Sequence, residues 1–512
     1  MATSLNSHFS FPTSESKTTR FPDWYSPETG IYTSKHASVS IPTNPYLDVV
    51  SFIFSHQHQG VTAFIDSSSG FSISYSKLLP LVQSMASGLH HLGVSKGAIV
   101  TPMNPLSSIS EIKKQIADSN VRFAFTLLET VDKLEKLGVH AIGVPENMNL
   151  DSEKVDFLPF YKLMAGQSGN KAPRPVIKQQ DTAAIMYSSG TTGTSKGVVL
   201  THGNFIAMIE LFVKFEASQY EYPGSEIVYL AALPMFHIYG LSLFVVGLLS
   251  LGSTVVVMRK FNAGELVKVI DKFGITHFPV VPPILTALTI SAKGVCENNF
   301  KSLKQVSCGA APISRKSIED FVQAFPHVDF IQGYGMTEST AVGTRGFNTG
   351  KHHKYSSIGL LAPNMQAKVV DLNSGSSMPP GDYGELWLRG PAIMQRYLNN
   401  VEATLMSIHR DGWLRTAPAD LEAILITHPE ILDAAVTGAS DEACGEIPVA
   451  FVVRRHGCTL THGAVMDFVA KQVAPYKKVR KVVFSNSIPR SAAGKILRRE
   501  LKKLSSSNYA VP

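Results

Sequence analysis

The ten residues Ser188 to Gly197 read S-S-G-T-T-G-T-S-K-G, and they set what the surrounding chain can be. Four hydroxyl residues, Ser188, Ser189, Thr191 and Thr192, stand around Gly190 and Gly193 and lead to Lys196. Glycines allow backbone angles closed to other residues and let peptide N–H groups approach an anion closely. The hydroxyls add donors, and a lysine ammonium is a point charge suited to phosphate. The run before the loop, T-A-A-I-M-Y, and the run after it, G-V-V-L-T-H, both read as apolar strands. The loop therefore joins two strands and does not open a helix. That excludes a P-loop, which needs Ser or Thr after its lysine and a helix beyond it; here Gly197 follows Lys196. A Gly/Ser/Thr linker shares this composition. A linker does not, however, normally sit between two apolar strands and end in Lys-Gly. A phosphate-binding loop is the expectation.

With 512 residues the chain exceeds what one core supports. From Ser107 onward, helical and strand patterns alternate as far as the helix beginning at Ser314, which implies an α/β fold with helix-covered parallel sheets. From Ala367 the pattern changes to short strands with Gly/Pro turns, and after Thr416 a compact α+β piece closes the chain. We expect a large N-terminal domain, 1–416, of helix-covered parallel sheets plus a small antiparallel unit, and a small α+β C-terminal domain, 417–512. Residues up to about Thr43 are rich in Pro, Ser and Thr and are expected to wrap loosely over the surface.

The formal charge is +7, and lysines and arginines crowd the C-terminal end. No zinc spacing, RNA-binding signature or recognition-helix pattern accompanies them, so no nucleic-acid partner is expected. The four cysteines show no C-x-x-C spacing and read as reduced thiols of an intracellular protein. No apolar core marks the first twenty residues as a secretory signal. The C-terminus, Ala-Val-Pro, is not a peroxisomal S-K-L address. Between Glu226 and Arg259 no formal charge occurs, but Pro234, Gly240, Gly247 and Gly252 punctuate the stretch. It reads as a buried helix–strand pair and not as a transmembrane helix.

Four further motifs accompany the loop: Pro234–Tyr239 (P-M-F-H-I-Y), Cys308–Pro312 (C-G-A-A-P), Gln332–Glu338 (Q-G-Y-G-M-T-E) and Pro489–Lys495 (P-R-S-A-A-G-K). With them the chain resembles the adenylate-forming enzymes, a superfamily of acyl-CoA synthetases, luciferases and peptide-synthetase adenylation domains. Within it the chain looks most like the plant 4-coumarate–CoA ligase-like group, from about Phe21 to Leu504. The family usually has Pro where Ser195 stands.

The resemblance implies two half-reactions. A carboxylate attacks the α-phosphorus of ATP, giving an acyl-adenylate and pyrophosphate; CoA thiolate then displaces AMP. ATP, Mg2+ and CoA as co-substrate follow from it, with an aromatic or fatty acid as the other partner. It places Ser188, Ser189, Gly190, Thr191, Thr192 and Lys196 on the phosphates, with Gln332 and Gly333 in the nucleotide site. Tyr334 falls beside the adenine, Thr337 on the α-phosphate and Glu338 on magnesium. Gly309, Ala310 and Ala311 line the acyl and adenine pocket. Tyr239 stands at the acyl pocket, which His237 gates. Leu243 falls where coumarate-using members carry a smaller or polar residue. Lys260 falls where the family contacts a CoA phosphate, though an ordinary solvated lysine accounts for it equally well. Lys495 bridges the acyl carboxylate and the α-phosphate during adenylation. A cytoplasmic monomer is expected, although the family also has peroxisomal members.

Two joints break the family pattern. After Lys96-Gly97 the family continues with a strand and a helix, but here Gly97 runs straight into Ala98. After D-G-W-L-R-T it continues with G-D, whose Asp grips the ribose, and then with D-R-x-K-E, which leads into the interdomain hinge. Here Thr416 is followed directly by A-P-A-D-L-E. The resemblance implies that the C-terminal domain turns about that hinge between the half-reactions. A catalytically impaired isoform, binding nucleotide or a partner without turnover, is therefore the alternative to an active ligase.

Overall fold

The computed structural model describes residues 21–94, 97–105, 107–146, 158–165, 175–188, 195–220, 223–293, 297–310, 313, 315–346, 355, 357–371, 374–382, 384–416, 420–426, 428–441, 445–472, 478–489 and 501. Its largest sheet has nine strands. Six parallel strands form the middle, in the order Asp329–Tyr334, Gln305–Cys308, His277–Val280, Val228–Ala231, Thr254–Val257 and Thr62–Asp66. Antiparallel strands finish both edges: Thr344–Arg345 and Leu360–Leu361 on one side, Ser72–Ser74 on the other. The central strands are short apolar runs such as T-V-V-V and H-F-P-V. These suit positions covered on both faces, and residues of His277–Val280 are buried throughout.

The covering helices are bounded by local chemistry. In Ala263–Phe273 the Asn262 side chain accepts from the Gly264 N–H, Glu265 lies in the first turn and Lys272 in the last. Gly274 ends it at φ 59, an angle that favours glycine. Helix Tyr75–His91 has Ser74 at its N-cap, and Gly93 follows its end at φ 85. The apolar stretch after Pro234 is not one long helix. It is a short α-turn at Ile238–Gly240, a π-helical segment at Leu241–Gly247 and a 3₁₀ turn at Leu248–Leu251, stopped by Gly252 at φ 75. Among the described residues, no helix is long and apolar enough to cross a membrane.

Strands Thr182–Ser188 and Lys196–Thr201 pair antiparallel, so the Ser188–Gly197 loop closes a hairpin; Arg396–Tyr397 adds a third strand. A five-stranded antiparallel sheet contains Gln366–Val370 and Glu385–Arg389, and also Tyr25–Ser26 and Ile31–Thr33. The N-terminal residues thus do not all lie loosely on the surface: Tyr32 pairs with Ala367. Two further core clusters lie on the faces of a sheet formed by strands Ile431–Asp441, Gly445–Arg454 and Lys481–Phe484. Alternate residues of this sheet feed opposite faces. Ala434, Val436, Ala450 and Val452 meet Leu421, Leu425 and Val465, whereas Ala435, Val449 and Phe451 meet Ile488 and Leu501.

Candidate active site

In open parallel sheets, ligands bind beyond the carboxyl ends of the strands. Three of the motifs lie there. Strand Val228–Ala231 leads to His237, Gln305–Cys308 to Gly309 and Ala310, and Asp329–Tyr334 ends within the Q-G-Y-G-M-T-E motif. The last two strands are neighbours in register, with Cys308 opposite Gln332. A small cavity of about 40 Å³ opens between these ends, lined in part by His237, Tyr239, Gly309, Ala310, Gly333 and Tyr334.

Small residues are required at this crossing. A Cβ on Gly309 would stand 3.1 Å from the Gly333 carbonyl oxygen, and one on Gly335 only 2.2 Å from that of Ala341. Ala310, Thr340 and Ala341 have φ of 66, 50 and 65. Such angles are strained for L-residues, and strain of this kind collects at ligand sites.

Thr337 and Glu338 lie on a buried 3₁₀ turn directly after the strand. One Glu338 oxygen accepts from the Ser188 hydroxyl at 2.8 Å and from the Tyr397 hydroxyl at 2.9 Å. Lys196 is 6% exposed, and its ammonium lies 5.0 Å from the centre of the Tyr397 ring. One end of the phosphate-loop hairpin therefore meets the acidic motif directly, through Ser188, and the other, Lys196, through Tyr397. The Ser195 hydroxyl donates to the Ser188 carbonyl at 3.2 Å, tying the ends together. Gln332 reaches away and donates to the Tyr355 carbonyl at 2.6 Å.

His237 is exposed at the cavity mouth, where its Nδ1 accepts from the Tyr239 N–H at 3.3 Å. It is therefore not a core histidine. Burial raises the Tyr239 phenol above its usual range, while Arg345 and the Ser307 hydroxyl pull it back. Burial also raises the Tyr334 phenol, against a hydrogen bond with Thr416. The residue just before the second joint thus touches the motif to which the resemblance gives the adenine. Lys260 is exposed and is not among the residues lining the cavity. Leu243 is buried and does not line it either. Ser189, Gly190, Thr191, Thr192, Ala311 and Lys495 lie outside the described residues.

Two groups near the site are excluded from acid–base or nucleophilic work. Burial pushes the Cys308 thiol up to about 12, which leaves it protonated and unreactive near neutrality. Burial, with Arg345 and Lys304 nearby, pushes His277 down to about 3. No cluster of three or more His, Cys, Asp or Glu residues that could hold a metal occurs among the described residues. A magnesium ion here would have Glu338 as its carboxylate and take its other oxygens from substrate phosphates and water, as Mg2+ in nucleotide sites does.

Sequence reasoning missed Tyr397, Glu216 and Arg345. Tyr397 stands in an unremarkable R-Y strand, and nothing local marks it. Glu216 carried a weak signal as an acid in the apolar run L-F-V-K-F-E.

A model of the AMP-binding enzyme family matches residues 95–398, and one of the AMP-binding enzyme C-terminal domain matches 420–495. The chain is similar to 4-coumarate–CoA ligase-like 6 of Arabidopsis thaliana, 59% identical over 537 residues, covering 94% of this chain and 95% of that one. With 4-coumarate–CoA ligase-like 3 of Oryza sativa subsp. japonica it is 48% identical over 550 residues, covering 94% and 93%. Among solved structures, o-succinylbenzoate CoA synthetase of Bacillus subtilis superposes with a TM-score of 0.68 at 24% identity, covering 90% of this chain and 98% of that one. ATP-bound MatB of Rhodopseudomonas palustris gives 0.65 at 20% identity, covering 90% and 99%.

Proposed function

The chain belongs to the AMP-binding enzyme family, and on that premise we propose that it is a carboxylic acid–CoA ligase of the 4-coumarate–CoA ligase-like type. It joins an aromatic or fatty acid to ATP as an acyl-AMP and then to CoA as a thioester. The observation that carries this reading is the meeting of Ser188, Glu338, Tyr397 and Lys196 beside a cavity lined by Gly309 and Tyr334.

In the first step a carboxylate oxygen bonds to the α-phosphorus and the bond to the pyrophosphate oxygen breaks. The obstacle is repulsion between two anions, which fixed donors and cations offset. The loop from Ser188 to Lys196 supplies hydroxyl and backbone donors to the phosphates. Thr337 donates to the α-phosphate, and Glu338 holds the cation side of the nucleotide. Magnesium, when bound, neutralises phosphate charge as the pyrophosphate leaves. Tyr334 packs on the adenine, while Gly309, Ala310 and Ala311 leave room for the acid. Lys495 bridges carboxylate and phosphate in this step only. In the second step the CoA sulfur bonds to the acyl carbon and the AMP oxygen leaves. His237 at the mouth controls access to that carbon, and Lys260 meets a CoA phosphate.

Residues 1–416 are the catalytic body and 417–512 the mobile C-terminal domain in this reading. A monomer in the cytoplasm completes it. The free thiols Cys308 and Cys458 suit a reducing compartment. Fractionation tests that location against the peroxisome, which the name of one relative, peroxisomal OPC-8:0-CoA ligase 1 of Arabidopsis thaliana, gives for that protein.

The deciding experiment is acid-dependent pyrophosphate release over a panel of cinnamic and medium-chain acids, with parent and Lys495→Ala. The variant loses pyrophosphate release but still converts supplied acyl-AMP and CoA to thioester. Equal loss of both steps means that Lys495 acts through folding. No release by the parent with any acid removes the ligase reading.

A further inference from the structure

One polar cluster in the cavity wall has no part in the chemistry above. Arg345 lines the cavity and is 7% exposed. Its Nη2 donates to the Glu216 carboxylate, which also accepts from the Tyr220 hydroxyl at 3.3 Å. Gln305 donates in turn to Tyr220. The guanidinium carbon sits 4.9 Å from the centre of the Phe212 ring. One side of this arginine is thus fixed by an ion pair and a stacked ring.

The other side carries an unsatisfied donor. Arg345 Nε is buried with no hydrogen-bond partner among the described residues. Nη1 would stand 3.7 Å from a Cβ on Gly333, so it lies beside that cavity-lining glycine with no side chain between. A buried N–H without an acceptor is costly, and the cost is recovered when a ligand oxygen reaches it.

The rest of the wall combines apolar Phe212 and Ile238 and the small Gly309 and Ala310 with hydroxyl-bearing Tyr239 and Thr344, and holds no second cation of the Lys or Arg type. Glu216 already balances the guanidinium charge. A second carboxylate brought here would be a buried anion with no cation of its own, which is unfavourable. A neutral oxygen acceptor meets no such penalty.

We infer that Arg345, held in place by Glu216, is a specificity-determining residue that selects an acid whose far end carries a neutral oxygen acceptor, such as a phenol, keto or ether oxygen. The inference rests on the acid-activation reading and names the substrate feature that the same cavity takes. Arg345 is not a catalytic residue, because it acts on the end of the acid remote from the reacting carboxylate. Its removal changes which acids bind, and not the chemistry performed on them.

The test is isothermal titration with two matched pairs of acids, cinnamic against 4-hydroxycinnamic and a medium-chain acid against its terminally hydroxylated form. A cinnamic acid carrying a 4-carboxylate is included. The proteins are the parent, Arg345→Met/Glu216→Gln and Arg345→Lys. The double variant removes both charges and leaves no unpaired ion in the core. In the parent, the oxygen-bearing member of at least one pair binds about tenfold tighter or more, matching one hydrogen bond to a charged donor. The 4-carboxylate acid binds no better than cinnamic acid. In the double variant the ratio within that pair falls to within about twofold, while affinity for the plain acid stays within about threefold. A merely structural role lowers both affinities together and leaves the ratio alone. If the double variant does not fold, Arg345→Lys, which keeps the charge but lacks Nε, shows a reduced ratio. An unchanged ratio in every folded variant, a parent ratio within twofold for both pairs, preference for the dicarboxylate, or no binding of any acid overturns the inference. Pyrophosphate release is measured in parallel. A parent that discriminates between the acids but releases no pyrophosphate overturns the ligase reading and leaves the inference standing.

Discussion

Glu338 receives two hydroxyl donors, from Ser188 and Tyr397, and this residue-scale pairing couples the hairpin to the strand-end motif. Tyr397→Phe removes one donor while keeping a ring beneath the Lys196 ammonium. The lost hydrogen bond to a charged group raises KM for ATP·Mg by about tenfold, with a small effect on melting temperature. Steady-state kinetics at saturating acid and CoA check this, and an unchanged KM means that Tyr397 only packs. His277 gives a second prediction. Burial, Arg345 and Lys304 hold it down to about 3, and Tyr220 and Tyr229 flank its ring. In the unfolded chain it titrates near its ordinary value of about 6.5. Between these values the unfolded state binds a proton that the folded state refuses, so stability falls as pH drops through about 6.5 and stops falling below about 3. The slope is about 1.4 kcal/mol per pH unit in that window. Urea titrations of parent and His277→Gln at pH 7, 6 and 5 measure it as a difference in slope. Parallel curves refute it.

At the scale of elements, the sequence was most legible where one local rule decided the outcome. The β-branched residues after Lys-Gly mark the phosphate loop as a strand-to-strand connection, and Lys196–Thr201 is a wholly buried strand. The apolar stretch after Pro234 was read as one helix because hydropathy reports burial and not backbone pitch. Its π and 3₁₀ segments depend on what packs against them, and a Cβ on Gly247 would lie 2.5 Å from the Val213 side chain. Tyr397 and Arg345 were illegible for a related reason. Each acts through residues far away in the chain: Arg345 through Glu216, 129 positions off, and Tyr397 through Glu338, 59 positions off, and the hairpin lysine. The turn Thr337–Ser339 gives the element-scale prediction. Gly335→Ala would put a Cβ against the Ala341 carbonyl, where backbone must move. The cost is about 1–3 kcal/mol, as for overpacking, and it falls on the turn that carries Thr337 and Glu338. ATP-binding affinity therefore drops by about tenfold or more. Calorimetric titration of the folded variant checks this, and parent-like affinity counts against a close-packed turn.

The whole molecule is shaped by the two joints. The alignment with the Arabidopsis thaliana relative runs over 537 positions, more than the 512 residues present, so that relative carries residues without counterparts here. At the first joint, among the described residues, Val100 pairs with the phosphate-loop hairpin through an isolated bridge to Ala184. Ile99 and Val100 are 49% and 57% exposed. Strands Phe123–Leu127 and His140–Val144 form a two-stranded sheet of their own, with Phe125 exposed. A strand and a helix inserted after Gly97 would cover such apolar surface, which proteins rarely leave open in patches. At the second joint, Thr416 lies against Tyr334, and the next helix begins at Asp420. Four residue steps reach at most about 14 Å, so the start of the C-terminal unit is tethered close to Tyr334. In the proposed reading thiolysis needs that unit to turn, and the short tether would oppose it. The ribose-gripping Asp that the resemblance implies at this joint would add a charge-assisted hydrogen bond. We therefore expect the chain with both segments restored to form CoA thioesters at least about tenfold faster at subsaturating ATP and to melt at least about 2 °C higher. The two chains are assayed side by side over the same acid panel and by calorimetry. Comparable turnover and melting by both would sink the idea that these joints limit the molecule.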